Sequence, residues 1–322
     1  MTIALVVVVF FGIHAAGGWN NVLENARSIP GYLNMTHTAN AITHESGRYG
    51  FITILSTLAW GLGYFGMPHI LLRFMAIDDP EKVKHSRRIA TVWVVISMAV
   101  AILIGVVGLA MSKAGVIETF ETSSAAEKIM VSIASYLSSF GVLPALIAGV
   151  ILAGILASTM STADSQLLAA SSSVSQNLLG GVFGLKLSEK ATMIVARLTV
   201  IAISVIGVFL ARDPDSSVFG IVSFAWAGFG AAFGPTMLMC LFWRRMNKAG
   251  ALAGMISGGA MVFIWEYVIT PFGKSHGISV LTVYELLPAF IVALIAIVIA
   301  SLLTAAPEKS VTDDFDKVSA IR

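Results

Sequence analysis

Apolar residues run through this sequence in long segments, and shorter polar stretches separate them. A window of about 19 residues identifies about eight apolar segments, each long enough to cross a hydrocarbon core of about 30 Å. We therefore predict an all-α integral membrane protein with about eight transmembrane helices. The predicted segments cover residues 2–18, 50–74, 89–112, 132–160, 190–210, 218–242, 249–270 and 281–304.

The ends of several segments carry more specific expectations. The fourth segment is expected to continue as a polar helix to about Asn177. The pairs Gly180-Gly181 and Asp213-Pro214 are expected to interrupt the chain, because such pairs favour turns. The first segment lacks the basic residues that begin a secretory signal peptide, so we interpret it as a true transmembrane span.

Composition supports the membrane interpretation and excludes several other classes of protein. Apolar residues make up 57% of the chain and charged residues 12%, whereas soluble domains average about 45–50% and about 25%. The single cysteine, Cys240, excludes a disulfide framework and a cysteine-based metal site. A net charge of +2, without aromatic residues interleaved among basic ones, gives no indication of nucleic-acid binding.

Lysine and arginine are distributed unevenly between the predicted loops. They are concentrated in the loops that follow even-numbered segments and in the tail, 305–322. The positive-inside rule places these loops in the cytoplasm, so we expect both termini of this multi-pass protein to be cytoplasmic. The loop 19–49 is then external.

The second segment contains a predicted break. Residues 58–69 hold three glycines and a proline, which would weaken a continuous helix. Broken helices at membrane depth often line substrate cavities, and Trp60, Tyr64 and Pro68 would share roughly one side of this one. The alternative is that the glycines permit close helix packing and the aromatic rings fill gaps. The spacing alone leaves both interpretations open.

A second polar feature follows a long apolar run on the fourth segment. The stretch Ser158 to Gln166 is rich in hydroxyl groups, and Ser158, Ser161, Thr162 and Ser165 crowd one helix face. Polar groups at membrane depth suggest a functional site, and hydroxyl and carbonyl oxygens suit a hard cation such as sodium. The alternative is that these hydroxyls bond back to carbonyls of their own helix.

Two neighbouring features are interpreted as structural. Asp164 lies on a different face from Ser161, so we expect a local structural role for it instead of ion ligation. The stretch Ser223 to Pro235 alternates small and aromatic residues, and Gly230 and Gly234 are spaced for tight helix packing.

These stretches together resemble the solute:sodium symporter family, and most closely its sodium/proline symporters. The matching stretches occur in the family's order over most of the chain: residues 60–66 with Pro68-His69-Ile70, Arg73-Phe74-Met75, Met160-Ser161-Thr162 with Gln166-Leu167-Leu168, and 226–235. The resemblance implies that Ser161 and Thr162, with the region of Ser158, line a sodium site. It also implies that Trp60, Tyr64 and Pro68 contact the substrate.

The same resemblance implies an inverted-repeat fold with a core of five plus five helices, of which the first repeat is mostly absent here. Residues 1–18 would be the last helix of the first repeat, and 50–242 the second five-helix repeat. Two trailing transmembrane helices would occupy 243–304, before the cytoplasmic tail. The missing N-terminal helices, on the same or a separate chain, would then complete both sites.

The implied function is sodium-coupled uptake of proline across the cell membrane by alternating access, with sodium as the coupling ion and membrane lipid around the helices. The alternatives are symport of another small organic solute and an inactive or split-gene fragment of such a transporter. A membrane sensor or scaffold on the same fold is a further alternative. The sequence shows no P-loop and no pairing of a nucleophile with a base, so an enzyme is not indicated.

Overall fold

The structure, a computed structural model, describes residues 2–40, 43, 45–212 and 217–320. The chain forms two compact units, of which the first comprises Met1–Arg48 and Ile77–Val218 and the second Tyr49–Ala76 and Phe219–Arg322. In the described ranges, six helices are long and apolar enough to cross a membrane, or eight spans if each of two bent pairs counts as one. The predicted all-α membrane architecture is confirmed.

The elements follow one another along the chain with short connections. In order they are α1 (Thr2–Ala15), α2 (Trp19–Ser28), β1 (His37–Ala39), β2 (Ser46–Arg48), α3 (Phe51–Ala59), a 3-10 helix (Trp60–Phe65), α4 (Pro68–Met75), α5 (Lys82–Lys113), α6 (Ser123–Ala126), α7 (Ile129–Ser138), α8 (Val142–Ser172), a π-helix (Ser173–Val182), α9 (Glu189–Leu210), α10 (Val218–Phe242), α11 (Lys248–Ile264), a π-helix (Trp265–Ile269), α12 (Thr270–Ser275), a 3-10 helix (Ser279–Thr282), α13 (Leu286–Leu303) and α14 (Lys309–Ala320).

The first unit is built around α1, α5, α7 and α8. Its core is formed by apolar side chains that are almost fully removed from the surface, including Val8, Val107, Met111, Ile133 and Ile151. Lipid is as apolar as these side chains, so such helices associate mainly through close packing and not through the hydrophobic effect.

The beginning of the chain is more structured than the sequence indicated. After α1 the chain turns by 82° into α2, and Gly17 and Gly18 at the turn both have positive φ angles, 88° and 102°. Glycine adopts such angles without the steric cost that a side chain would bring. The predicted loop 19–49 therefore contains α2 and a small antiparallel sheet, in which His37 of β1 pairs with Arg48 of β2.

The fourth predicted segment, 132–160, is divided in the structure. It falls into the short helix α7 and the start of α8, with a turn between them that ends at Gly141, whose φ is +116°. The prediction of one continuous helix here was wrong, because the apolar pattern continues across this turn. A glycine in the left-handed region allows the chain to change direction without a polar signal.

The far end of α8 confirms the polar extension and corrects its limit. The helix continues as a π-helix to Val182, beyond the predicted end near Asn177. The expected break at Gly180-Gly181 was wrong, since both glycines lie inside the π-helix. The turn occurs instead near Gly184, which has a φ of +66°. The predicted break at Asp213-Pro214 lies outside the described residues.

The second unit is built around α10, α11 and α13. Its buried core is formed by Ala227, Ala231, Val262, Leu286, Ala289 and Phe290. Along α11, Gly250, Gly254 and Gly258 face other helices so closely that a Cβ on Gly258 would collide with the carbonyl oxygen of Ala231. Small residues at this spacing let membrane helices approach each other closely.

The tail helix α14 is fastened to the loop after α10. Arg244 donates from Nε and Nη2 to the two carboxylate oxygens of Asp316 at 2.8 and 2.9 Å. These hydrogen bonds, and the charge of Arg244, lower the pKa of Asp316. The ion pair is therefore present at neutral pH and is lost only as the pH falls through that lowered pKa. Asn247 adds a bond to the hydroxyl of Thr304 at 2.8 Å.

The two units cut across the predicted second repeat, 50–242. Its first helix, the broken one formed by α3 and α4, belongs to the second unit together with the helices that follow the repeat. Helices α5, α8 and α9 belong to the first unit. Packing contacts do not test internal symmetry, so the repeat and the domain limits stay predictions.

Candidate functional site

The second predicted segment is broken, as the sequence indicated. Helix α3 passes into the 3-10 helix, the chain continues through Gly66 and Met67, and α4 then begins at Pro68 with its axis turned by 46°. Met67 has an extended backbone, with φ −77° and ψ 113°. Proline is well suited to the first position of a helix because its missing N–H would have no partner there. The predicted break is confirmed.

Glycines on the broken segment pack directly against glycines of α10. A Cβ on Gly66 would collide with the carbonyl oxygen of Phe229 and lie 2.8 Å from both Gly230 Cα and Gly234 N. A Cβ on Gly230 would in turn lie 2.8 Å from Gly63 Cα. The prediction that Gly230 and Gly234 serve tight helix packing is confirmed, and their packing partner is the broken helix.

Trp226 of α10 supports the break through both its indole N–H and its ring. Its Nε1 donates a hydrogen bond to the backbone carbonyl oxygen of Trp60 at 3.0 Å. The ring lies where a side chain on Gly63 would be, so Gly63 leaves the space that the indole occupies. Irregular backbone in a membrane needs such partners for its exposed carbonyl groups.

Trp60 lies in a cluster of aromatic rings. Its ring stacks on Phe219, Trp226 and Tyr284, with centroid separations of 5.4, 5.5 and 6.0 Å. Tyr64 meets the same Trp226 ring edge to face, at 4.8 Å. Aromatic pairs in these geometries contribute about 0.5–1.5 kcal/mol each beyond their buried area. The cluster therefore fixes the orientation of the Trp60 ring.

The three residues predicted to contact substrate differ in their surroundings. Trp60 and Tyr64 meet at Trp226, and Tyr64 keeps 53% of its surface exposed. The indole Nε1 of Trp60 is a donor without a hydrogen-bond partner among the residues that the structure describes. Pro68 lies outside the ring cluster and begins α4. A polar ligand beside Trp60 and Tyr64 would thus find a free N–H and an accessible phenol.

Tyr284 also belongs to this cluster, and the sequence alone did not indicate it. It precedes α13, far along the chain from Trp60, and it occurs in no motif. Its phenol donates to the carbonyl oxygen of Ser223 at 2.6 Å, and its backbone N–H donates to Ser56 Oγ at 3.0 Å. The available signal was a tyrosine at the start of an apolar segment, which does not specify a partner.

The hydroxyl cluster lies on α8 in the first unit. Thr162 Oγ1 donates to the carbonyl oxygen of Ser158 at 3.4 Å, and Ser165 Oγ donates to that of Ser161 at 3.0 Å. The alternative of bonding back to the same helix is therefore present in the structure. Such a bond uses the O–H and leaves lone pairs on the hydroxyl oxygen, so it does not prevent the oxygen from binding a cation.

Ser161, Thr162 and Asp164 are exposed on this helix, and Ser158 is half-buried. Asp164 forms no hydrogen bond or ion pair within the described ranges of the chain. The structure therefore supplies no contact for the local structural role expected of Asp164. The candidate sodium residues belong to the first unit and the candidate substrate residues to the second. The roles of both sets stay predictions.

Comparison with known proteins identifies relatives over most of the chain. A family model described as "Sodium:solute symporter family" matches residues 1–258. The "High-affinity proline transporter PutP" of Bacillus subtilis is 37% identical over 98% of this chain and 61% of its own length. The "Osmoregulated proline transporter OpuE" of the same organism is 43% identical over 80% of this chain and 49% of its own length.

A third relative comes from a different bacterium. The "Sodium/proline symporter" of Escherichia coli is 38% identical over 84% of this chain and 51% of its own length. The chain therefore spans between about half and three-fifths of the length of these relatives.

Proposed function

Because this chain belongs to the sodium:solute symporter family and is a multi-pass membrane protein, we propose that it forms part of a transporter that couples proline uptake to sodium entry. The observation that carries this proposal is the broken helix, at which Trp60 and Tyr64 meet around Trp226. The relatives named as proline transporters or sodium/proline symporters support the choice of solute and ion. Transport of this kind requires no covalent chemistry.

We propose distinct roles for the two groups of residues. Trp60, Tyr64 and Pro68 would contact the solute, with the indole N–H of Trp60 donating to a carboxylate oxygen. Ser161 and Thr162, with the backbone near Ser158, would supply oxygen ligands to sodium. Hydroxyl and carbonyl oxygens fit this ion because hard cations prefer oxygen ligands.

The proposed cycle is alternating access. External sodium would bind first and favour the state that accepts proline, and closure of the site would then be followed by release of both to the cytoplasm. A membrane potential of 100 mV supplies about 2.3 kcal/mol per charge. A tenfold sodium gradient adds about 1.4 kcal/mol, so one sodium ion could support accumulation of about 500-fold.

The same proposal places both termini in the cytoplasm. Arg244 and Arg245 follow α10 and contribute to the positive charge on that side. The ion pair from Arg244 to Asp316 and the bond from Asn247 to the carbonyl oxygen of Ala305 are consistent with a cytoplasmic C-terminus, because they join the loop after α10 to the tail. The loop and the tail must therefore lie on one side of the membrane.

The chain spans 61%, 49% and 51% of the length of the three relatives named above. We propose that further helices, on the same polypeptide or on a separate chain, complete the sodium and substrate sites. The partners of this chain would then be those helices, membrane lipid and a small-molecule solute.

Sodium-dependent uptake of radiolabelled proline into vesicles tests the proposal. The chain would be expressed alone and together with the helices of the Escherichia coli relative that it does not match. We expect uptake in the combined sample, and its loss when choline replaces sodium outside. Absence of uptake in both samples, with both proteins present in the membrane, would contradict proline as the solute.

Replacing Trp60 with phenylalanine distinguishes the contribution of the indole N–H to solute binding from that of the aromatic ring. Phenylalanine keeps an aromatic ring for the stack but lacks the N–H, so we expect the KM for proline to rise about 10- to 100-fold. This range corresponds to the loss of a hydrogen bond to a charged group. Uptake kinetics at saturating sodium measure the effect. Trp93→Phe is the matched control, because Trp93 lies on α5 in the first unit and is 43% exposed.

A further inference from the structure

Tyr284 connects three parts of the second unit at the candidate substrate site. Its backbone N–H reaches Ser56 on α3, its ring stacks on Trp60, and its hydroxyl reaches the carbonyl oxygen of Ser223 on α10. The distance between the Tyr284 hydroxyl oxygen and the Ser223 carbonyl oxygen is 2.6 Å, at the short end of the range for this type of bond. One side chain thus holds the broken helix and α10 together.

The backbone on both sides of Tyr284 is held by a hydrogen bond and by close packing. The neighbouring Val283 accepts a hydrogen bond from Trp265 Nε1 at 3.1 Å, and Leu286 is fully buried. Leu286 packs against Gly230, where a Cβ would lie 2.9 Å from its Cδ1. Gly230 is also the residue that contacts Gly63 of the broken helix. A fixed backbone of this kind allows Tyr284 to define the position of the rings it touches.

Tyr284 also lies outside the predicted second repeat, 50–242, and just before the observed helix α13. Contact between Tyr284 and Trp60 would let helices outside that repeat determine the geometry of the substrate site. Trp60 has a free indole N–H, and the direction of this donor follows the plane of its ring. A change in the stack would therefore rotate the donor.

From these contacts we propose that Tyr284 is a positioning residue for the solute site: its ring and hydroxyl hold Trp60 in the orientation that binds the solute carboxylate. The proposal rests on the proposed function of Trp60 and Tyr64. It assigns Tyr284 no contact with the solute. Binding of the solute should therefore weaken when Tyr284 is replaced, while the sodium requirement should remain.

Two substitutions divide the role of Tyr284 into its parts. Tyr284→Phe removes the bond to Ser223 and keeps the ring, so we expect a rise in KM for proline of about 2- to 10-fold. Tyr284→Leu removes both the hydrogen bond and the aromatic ring, and we expect the KM for proline to rise about 10- to 100-fold. Vmax and the sodium concentration for half-maximal uptake should change by less than about twofold in both variants, because only solute binding is affected.

Tyr267→Phe is the matched control in the same unit. Tyr267 is 65% exposed, its ring contacts Phe224 and Phe263, and its hydroxyl has no hydrogen-bond partner in the described part of the chain. We expect its uptake kinetics to equal those of the unmodified protein.

A second measurement uses the chain alone and does not depend on transport. The full chain, labelled with 5-fluorotryptophan and purified in detergent, contains six tryptophans whose fluorine resonances report their surroundings. The Trp60 resonance is assigned by its absence in Trp60→Phe. We expect it to shift in Tyr284→Leu, to shift less in Tyr284→Phe, and to stay in place in Tyr267→Phe.

The two measurements together decide the proposal. A shifted Trp60 resonance with a raised KM supports it, and either change without the other overturns it. If the unmodified chain takes up no proline when it is expressed with the complementary helices, the proposed function fails. The Trp60 resonance alone then decides whether Tyr284 positions Trp60. If Tyr284→Leu does not fold, Tyr284→Phe still provides both measurements.

Discussion

We expect the double replacement Ser161→Ala and Thr162→Ala to raise the sodium concentration for half-maximal uptake at least about a hundredfold. Each hydroxyl would contribute about 1.5–3 kcal/mol as a partner of a charged group, and each 1.4 kcal/mol is a factor of about ten. The helix itself should tolerate the change, because the O–H of Thr162 bonds within α8 and that of Ser161 has no partner in the described part of the chain. Proline uptake measured across a series of sodium concentrations tests this expectation.

Ser173→Ala is the matched control for the sodium prediction. Ser173 donates to the carbonyl oxygen of Ala169 at 2.8 Å, the same kind of bond on the same continuous helix, but it lies beyond the cluster. Its replacement should leave the sodium requirement unchanged. If the double variant were expressed normally and its sodium concentration for half-maximal uptake were unchanged, the hydroxyl groups of the cluster would have a structural role and would not bind sodium.

Gly66→Ala is expected to destabilise the second unit by about 3 kcal/mol or more. The new methyl group would meet the backbone of α10 at Phe229, Gly230 and Gly234, and backbone atoms cannot move aside as a flexible side chain can. Inserting one carbon into a close-packed interface usually costs about 1–3 kcal/mol, and this site offers no nearby space. The midpoint of thermal unfolding in detergent, followed by tryptophan fluorescence, measures the loss.

Gly61→Ala provides the comparison within the same broken helix. A Cβ on Gly61 has no neighbouring atom within 4 Å, so its replacement should be neutral or slightly stabilising. Equal stability of the two variants would show that the broken helix does not pack against α10 as described. A large loss in Gly66→Ala alone would establish that the glycines serve packing as well as the break.

Local features of the sequence were sufficient to predict the spans and the broken helix. Apolar runs of about 20 residues predict membrane spans, because they match the thickness of the hydrocarbon core. These spans are helical because backbone groups in lipid must bond within the helix. The glycines and Pro68 identified the break, since they lower helix stability wherever they occur. Gly230 and Gly234 likewise indicated tight packing, although the sequence did not identify the broken helix as their partner.

The limits of some elements could not be obtained in this way. At Gly141 the chain turns between α7 and α8 while the apolar pattern continues on both sides. A hydropathy window averages over such a turn, because one glycine in a left-handed conformation changes the direction of the chain without changing its polarity. The π-helix that extends α8 to Val182 left no distinct pattern either.

The sequence by itself determined that this protein is a helical membrane protein of the sodium:solute symporter family with a helix that is broken before Pro68. These properties follow from local composition and from ordered motifs. Only the tertiary structure decided the surroundings of Trp60: Trp226 and Tyr284 lie far from it along the chain and contact it only in the folded state. A periodic pattern specifies which side of a helix is apolar, but the partner of each side chain depends on how distant helices pack.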